Sequence, residues 1–294
     1  YQYEKAKKIL KEQEIYDAGF FVFHDESGKF RFSLVYGKAE GTKRAYSNFR
    51  RFTYFVSIDQ TNKTFLDRVG GCNYSSLDLI KDAFSVEKVT KAFYKELADW
   101  YFWAAKNVTF PEAAEKETNG RNVAVIRMIT RLIFIWFMKE RGLVSLNLFN
   151  KEKVSTLLKS LQPDETTYYK AILQNLFFAT LNTKIEDRKF RFDKSYQGRN
   201  KDYMEHSIYR YENYFKNQED MLLIFKNIPF LNGGLFDCLD HRIREKGQNI
   251  EVRVDGFTDK EVGLSVPNLL FFSDEAYANL NEDYGTKNKK YKVQ

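Results

Sequence analysis

The run from Arg121 to Gly142 sets the strongest limit on how this chain folds. Ile126, Ile129, Ile133, Trp136 and Phe137 recur at steps of three and four, which predicts one long helix with an apolar stripe. Leu132, Phe134, Ile135 and Met138 fill much of the remaining circumference, so burial on more than one side is expected. Asn119 or Asn122 can cap its start, and Gly142 stands where a left-handed residue would end it, after the basic pair Lys139 and Arg141. Arg127, Arg131 and Lys139 interrupt the run and would cost several kcal/mol in a bilayer, so a core helix is expected and no membrane span.

Around this helix the 294 residues have room for one large or two ordinary domains. Aromatic residues at 17% support a folded chain over a disordered one. Two cysteines, Cys72 and Cys238, are too few for a disulfide framework, and the first residues do not resemble a signal peptide, so a cytoplasmic setting is expected. A start at Tyr1 suggests a fragment. The formal net charge of +7 points to an acidic partner, of which nucleic acid is the commonest in a cytosol.

Taken in order, Tyr3 to Tyr16 read as a short charged helix. The period then changes to two. Gly19 to His24 and Lys29 to Tyr36 flank Asp25-Glu26-Ser27-Gly28, a hairpin turn, and Phe49 to Ile58 supplies a third strand. The second strand alternates Phe30, Phe32, Leu34 and Tyr36 against Lys29, Arg31, Ser33 and Val35, so its second face is expected to be wet or to touch something polar. The connection to the third strand carries Lys38, Lys43, Arg44, Arg50 and Arg51 against the single acid Glu40. Beside Tyr46 and Phe49 these cations suit phosphate contact with a stacking residue nearby, while the plainer reading is a solvated, flexible hairpin connection. A boundary is placed at Phe84, giving residues 1–84 as an α+β module and 85–294 as a mainly helical domain, an α+β fold overall. Helices are expected over Val86 to Asn107, the central run, Val154 to Leu161, Thr166 to Leu181 and Gln218 to Phe225. Thr183 to His206 form a long charged connection holding Arg188, Arg191 and Arg199. Val252 to Phe257 and Leu264 to Phe272 are candidates for extended chain, and the basic end from Lys287 to Lys292 is expected to be loose.

The catalytic inventory is thin. His24, His206 and His241 are far apart, and Cys238 with His241 makes only half a zinc set, so no metal is expected. Asn232-Gly233-Gly234 invites comparison with a phosphate cradle, yet a turn tucking in Phe230, Leu235 and Phe236 fits its apolar flanks better. Pro163-Asp164 with Asp187-Arg188-Lys189 matches the letters of a metal-dependent nuclease centre, but a helix lies between them. Asp17, Asp25 and Glu26 have no Glu-x-Lys partner. No catalytic residue is therefore assigned.

Five ordered blocks carry a family likeness: Phe93 to Ala104, Arg127 to Val144, Tyr168 to Asn182, Pro229 to Asp237 and Leu264 to Asn268. Together they resemble the region ahead of the methyltransferase domain in large type IIG-like restriction-modification enzymes, and residues 1–84 look like the β-rich piece before it. The resemblance implies a nuclease-like N-terminal region, a helical connector, an adenine-N6 DNA methyltransferase using S-adenosylmethionine, and a target-recognition domain. Its signature Asn/Asp-Pro-Pro-Tyr/Phe is missing here, since Pro111, Pro163, Pro229 and Pro267 are all isolated, and no Gly-x-Gly cofactor loop occurs. The expectation is a part that ends before the catalytic domain, with no cofactor of its own. S-adenosylmethionine, and Mg²⁺ if the parent cleaves, would belong to the whole enzyme. The implied partners are double-stranded DNA and the downstream methyltransferase domain. For DNA contact the expected residues are Lys38, Lys43, Arg44, Arg50 and Arg51, then Arg188, Arg191 and Arg199, with Arg127 and Arg131 in buried ion pairs or the domain interface. Two other functions stay open: a metal-dependent DNA nuclease module, and a non-catalytic interaction scaffold.

Overall fold

The structure, a computed structural model, describes residues 1–13, 15–41, 43–48, 52–60, 62–190, 204–231, 233–273 and 275–293; for 40, 43 and 86–89 it describes the backbone alone. Two compact units, Tyr1–Leu97 and Ala98–Gln294, make an α+β chain. The division falls inside a helix, against an expected boundary at Phe84.

In the first unit, helix α1 (Gln2–Glu12) precedes strands β1 (Ala18–His24), β2 (Phe30–Glu40), β3 (Lys43–Tyr46) and β4 (Thr53–Val56). Strand β2 is the hub, pairing antiparallel with each of the other three. Asp25 shapes the first turn by accepting from Ser27 and Lys29 N–H, and Gly28 takes φ +76°. The second connection is a hairpin. Lys38 faces Ala45 and Ala39 faces Arg44, so the basic residues there are ladder positions. Gly37 faces Tyr46 while Ser33 faces Thr53, so four residues along β2 answer to seven on the facing chain. That slip divides the single expected third strand into β3 and β4.

Strand β2 is covered on both faces at its centre, while on the face expected to be wet or polar Arg31 is exposed and donates to Gln2 Oε1. Leu34 and Tyr36 pack with Val69, Ala83 and Phe84 from the short helix α2 (Lys63–Phe65), its π-wound continuation Leu66–Gly70, and α3 (Leu77–Ala83) with its end. On the other side Val35 meets Ala6 and Leu10 of α1. Alternation on β2 is thus apolar on both sides at its centre, and α1 exists to cover the second.

The second unit is built on the latter part of α4 (Val86–Asn107), α5 (Glu112–Glu115), α6 (Gly120–Glu140), α7 (Lys151–Leu157), a π-wound helix Tyr168–Thr180, and α8 (Gln218–Lys226). Helix α6 ends as its sequence implies. Gly142 takes φ +70°, its N–H reaches Lys139 C=O, and Leu143 N–H reaches Met138 C=O, the paired bonds of a Schellman close. At the start, Gly120 lies against Ala114, where a Cβ would come within 1.7 Å of the carbonyl oxygen. The buried side of α6 is Ala124, Val125, Met128, Ile129, Arg131, Ile135 and Met138; of the expected stripe only Ile129 is among them, whereas Ile126, Ile133, Trp136 and Phe137 are exposed. An apolar residue on nearly every face left the period unable to say which face turns inward.

The π-wound helix is buried throughout, Lys170, Gln174 and Asn175 included; Leu181 N–H closes it on Leu176, five residues back. Beyond α8, strands β5 (His241–Glu245) and β6 (Gln248–Val252) form a hairpin, then come α9 (Leu269–Phe272) and a short pairing of β7 (Tyr277–Ala278) with β8 (Tyr291–Lys292). Leu269 to Phe272 are therefore helical where extended chain was a candidate. The basic end is paired chain. Among the described residues no helix is long and apolar enough to cross a membrane.

Candidate functional site

Of the cations expected at DNA, Arg50, Arg51, Arg191 and Arg199 lie outside the described residues, and for Lys43 only the backbone is described. The others fall in different surroundings. Arg44 lies across β2: its Nη2 donates to Tyr16 C=O at 2.6 Å and to Asp17 at 3.2 Å, and its Nε would be 2.3 Å from a Cβ on Gly37. A side chain at Gly37 would have to displace the Arg44 guanidinium, which ties β3 to the start of β1. Lys38 places its ammonium 5.7 Å from the Tyr36 ring, with Lys81 at 4.8 Å from the same ring. Arg188 points inward. It donates to Thr180, Thr183 and Phe225 carbonyls at 2.8, 3.1 and 2.9 Å, fastening the end of the π-wound helix to the end of α8. Burial pulls its pKa down. A guanidinium satisfied by three carbonyls holds helix ends and has little left for a phosphate.

The second unit's chemistry gathers instead around Arg131, 2% exposed on α6. Its Nη1 donates to Asp255 at 3.0 Å, Nε to Leu235 C=O at 2.9 Å and Nη2 to Asp237 C=O at 2.8 Å. The guanidinium also lies 4.9 Å from the Phe178 ring. Arg127 is 3.9 Å from Asp255. Asp255 C=O accepts from Gln174, which in turn accepts from the buried Tyr211 hydroxyl at 2.6 Å. Burial, then Asp259, pushes that hydroxyl's pKa well up, so Tyr211 is a proton donor within a fixed network. Pro229 to Asp237 is thereby pinned to α6. Gly233 and Gly234 open a 3₁₀ turn in which Phe236 and Asp237 N–H bond to their carbonyls; Phe236 is buried, as a turn tucking it inward requires, and Asn232 lies outside the described residues.

Asp240 is a second centre. Its Oδ1 accepts from Val254, Asp255 and Gly256 N–H at 2.7, 2.8 and 3.0 Å, and Oδ2 from Phe257 N–H at 2.8 Å, with Arg253 at 3.4 Å. Among the described residues, the one group of three metal-capable side chains is His206, Cys238 and Asp240, with ligand atoms within 4.8 Å of one another. Sequence spacing pairs Cys238 with His241, but His241 sits on the exposed hairpin with Nδ1 at Leu239 C=O, and His206 arrives from the far side of the charged connection. The donor set does not fit a metal. Both Asp240 oxygens are already turned to N–H donors, and burial, then Asp240 and Asp255, drives the Cys238 thiol pKa far up, away from the thiolate a metal needs. The group reads as a folded loop around a carboxylate.

The nuclease letters do not come together either. Asp187 closes a 3₁₀ turn and Asp164 lies in a turn ahead of the π-wound helix, neither on a strand. No protein-family model matches the chain, and no curated protein or solved structure matches it.

Proposed function

We propose that this chain is the DNA-contacting and connecting part of a restriction-modification enzyme, whose helical unit seats an adenine-N6 methyltransferase domain that uses S-adenosylmethionine. The observation that carries the reading is the outward face of α6. Val123, Ile126, Ile133, Trp136 and Phe137 stand 44% to 56% exposed along one helix, an apolar face broken only by Thr130 and of the kind that marks a protein interface. The opposite side of the same helix organises the resembling blocks, with Arg131 bound to Leu235 and Asp237 and lying over Phe178, and Asn268 bound to the start of the π-wound helix. These blocks serve as a frame, which supports a connector over a catalytic role. The net charge of +7 supports a polyanionic partner.

Two measurements test this. Anisotropy of labelled duplex DNA with the chain at about 50 and about 200 mM salt should show binding that weakens as counterions compete. Binding absent at low salt refutes the DNA role and favours a scaffold. Methyl transfer by this chain alone refutes the connector role, and Mg²⁺-dependent nicking lost in Asp187→Ala would assign a nuclease instead. For the α6 face, Ile133→Glu with Phe137→Glu should leave stability within about 0.5 kcal/mol, as for surface sites. A loss comparable to that of Ile135→Glu would put this face inside the unit.

A further inference from the structure

The end of the chain, expected to be loose, is folded into a basic cleft. Strands β7 and β8 bracket a turn held by Asn281, whose Nδ2 donates to Lys289 C=O at 2.9 Å and whose Oδ1 accepts from Lys289 N–H at 3.0 Å and Thr286 Oγ1 at 2.8 Å. Asn288, at φ +56°, turns the chain in between. The Tyr291 ring stacks on Tyr284 at 5.0 Å, and its hydroxyl lies 2.7 Å from Thr286 Oγ1. These bonds fix the position of Lys289 and its neighbours before any ligand arrives.

An open cavity of about 690 Å³ lies here, lined by Tyr277, Asn279, Asn281, Asn288, Lys289 and Lys290. Its volume is in the range of pockets that hold small ligands. Lys287, Lys289 and Lys290 are exposed, and among the described residues none is ion-paired. The carboxylates nearby are engaged elsewhere, Glu275 with Lys292 at 2.7 Å and Asp283 with Lys106 at 2.5 Å, while the exposed Glu282 pairs with none of the three lysines. Tyr277, at 57% exposure, offers an open ring face on the same wall. Lys289 and Lys290 line the cavity with an exposed ring and side-chain amides, and the exposed Lys287 stands two residues before Lys289; such a set suits a phosphodiester strand with an unstacked base. A membrane surface would favour a projecting apolar tip over a concave, amide-lined wall.

We propose that this cleft binds a single nucleic-acid strand, with phosphates on Lys287, Lys289 and Lys290 and a base against Tyr277. The proposal rests on the DNA-contacting role above and gives that role a surface in the second unit.

The test is anisotropy of a fluorescein-labelled 12-nucleotide single strand and of its duplex, with the full chain, at about 50 and about 200 mM salt. Lys287→Ala/Lys289→Ala/Lys290→Ala should weaken single-strand binding at least about tenfold and flatten the log–log salt slope by about 2, near 0.7 for each phosphate no longer neutralised. Tyr277→Ala should weaken it about fivefold to a hundredfold with the slope unchanged, as expected for a missing stacking platform. All four positions are exposed and the turn is held by the Asn281 side chain on the main chain of Lys289, so circular dichroism and unfolding midpoints should match the parent chain. If the parent chain binds DNA and these variants bind it equally well, the cleft is not the site while the DNA role stands. If the parent binds no nucleic acid, both fail. Variant-sensitive binding to phosphatidylserine vesicles without oligonucleotide binding would overturn the proposal in favour of a lipid surface. A duplex preference that Tyr277→Ala leaves untouched would overturn the stacking of a free strand.

Discussion

Replacing Arg131 by Met measures how far the second unit depends on one guanidinium. The unbranched apolar side chain fills the space of the arginine stem but removes three hydrogen bonds at once. Asp255, 5% exposed at its side chain, would lose its nearest cation and keep Leu239 N–H at 2.7 Å, with Arg127 left at 3.9 Å. Leu235 and Asp237 carbonyls would lose their donor in a site with little access for water. Stranding one partner of a buried ion pair costs about 3–5 kcal/mol. Arg127 moderates the charge while the two carbonyls add to the penalty, so about 4 kcal/mol is expected, or about 8–16 °C in Tm for a domain of this size. The assay is urea and thermal unfolding followed by circular dichroism. Arg131→Met with Asp255→Asn should cost less than the two single changes summed, because the stranded charge has gone. A cost below about 1 kcal/mol for Arg131→Met, or strict additivity in the double change, would refute the claim that this pair organises the unit.

Other substitutions separate causes that look alike in sequence. Gly120→Ala should be severely destabilising, by about 2 kcal/mol or more in thermal unfolding, since its Cβ meets the Ala114 carbonyl. Gly142→Ala meets no atom within 4 Å and should cost only the left-handed backbone, about 1–2 kcal/mol. Cys238, its thiol pKa raised first by burial, should resist iodoacetamide near pH 8 until the chain is unfolded, while Cys72 is alkylated; mass spectrometry of native and urea-treated protein reads the difference. Glu251 feels burial that raises its pKa, but Arg253 and Lys260 outweigh it and hold the carboxylate below its ordinary 4.5. Its contribution is therefore complete above that value and lost as pH falls through the lower folded pKa. The urea midpoint of Glu251→Gln should accordingly fall less than that of the parent between pH 7 and about pH 3.5.

Local chemistry was most legible where one residue type has one physical use. Gly28 and Gly142 mark a turn and a helix end because each takes a positive φ, and the first hairpin follows from its alternation. Which face of α6 is buried was not legible, because apolar residues on both sides leave the choice to tertiary packing. Val35 misled in the same way: one apolar residue among polar ones does not announce a covering helix, yet it is fully buried against α1. The β5–β6 hairpin escaped notice because its strands are almost wholly polar, although Lys246-Gly247, at φ +46° and +82°, is a strong tight-turn pair. Among the candidate cations, charge pattern could not distinguish Arg188, engaged by three carbonyls, from Lys289, which faces an open cleft. That distinction depends on where chain segments distant in sequence place their carbonyls and carboxylates.

Asp240 has a consequence for what this chain can tolerate. A single carboxylate joins the residue before β5 to the amides of 254–257 after β6, so the hairpin leaves and re-enters the fold through one closed neck. The entropy of closing that loop is met at the neck and grows only slowly with length. Evolution, or an engineer, can therefore lengthen, trim or exchange residues 241–252 as a cassette without disturbing the Arg131 centre, provided that Asp240 stays.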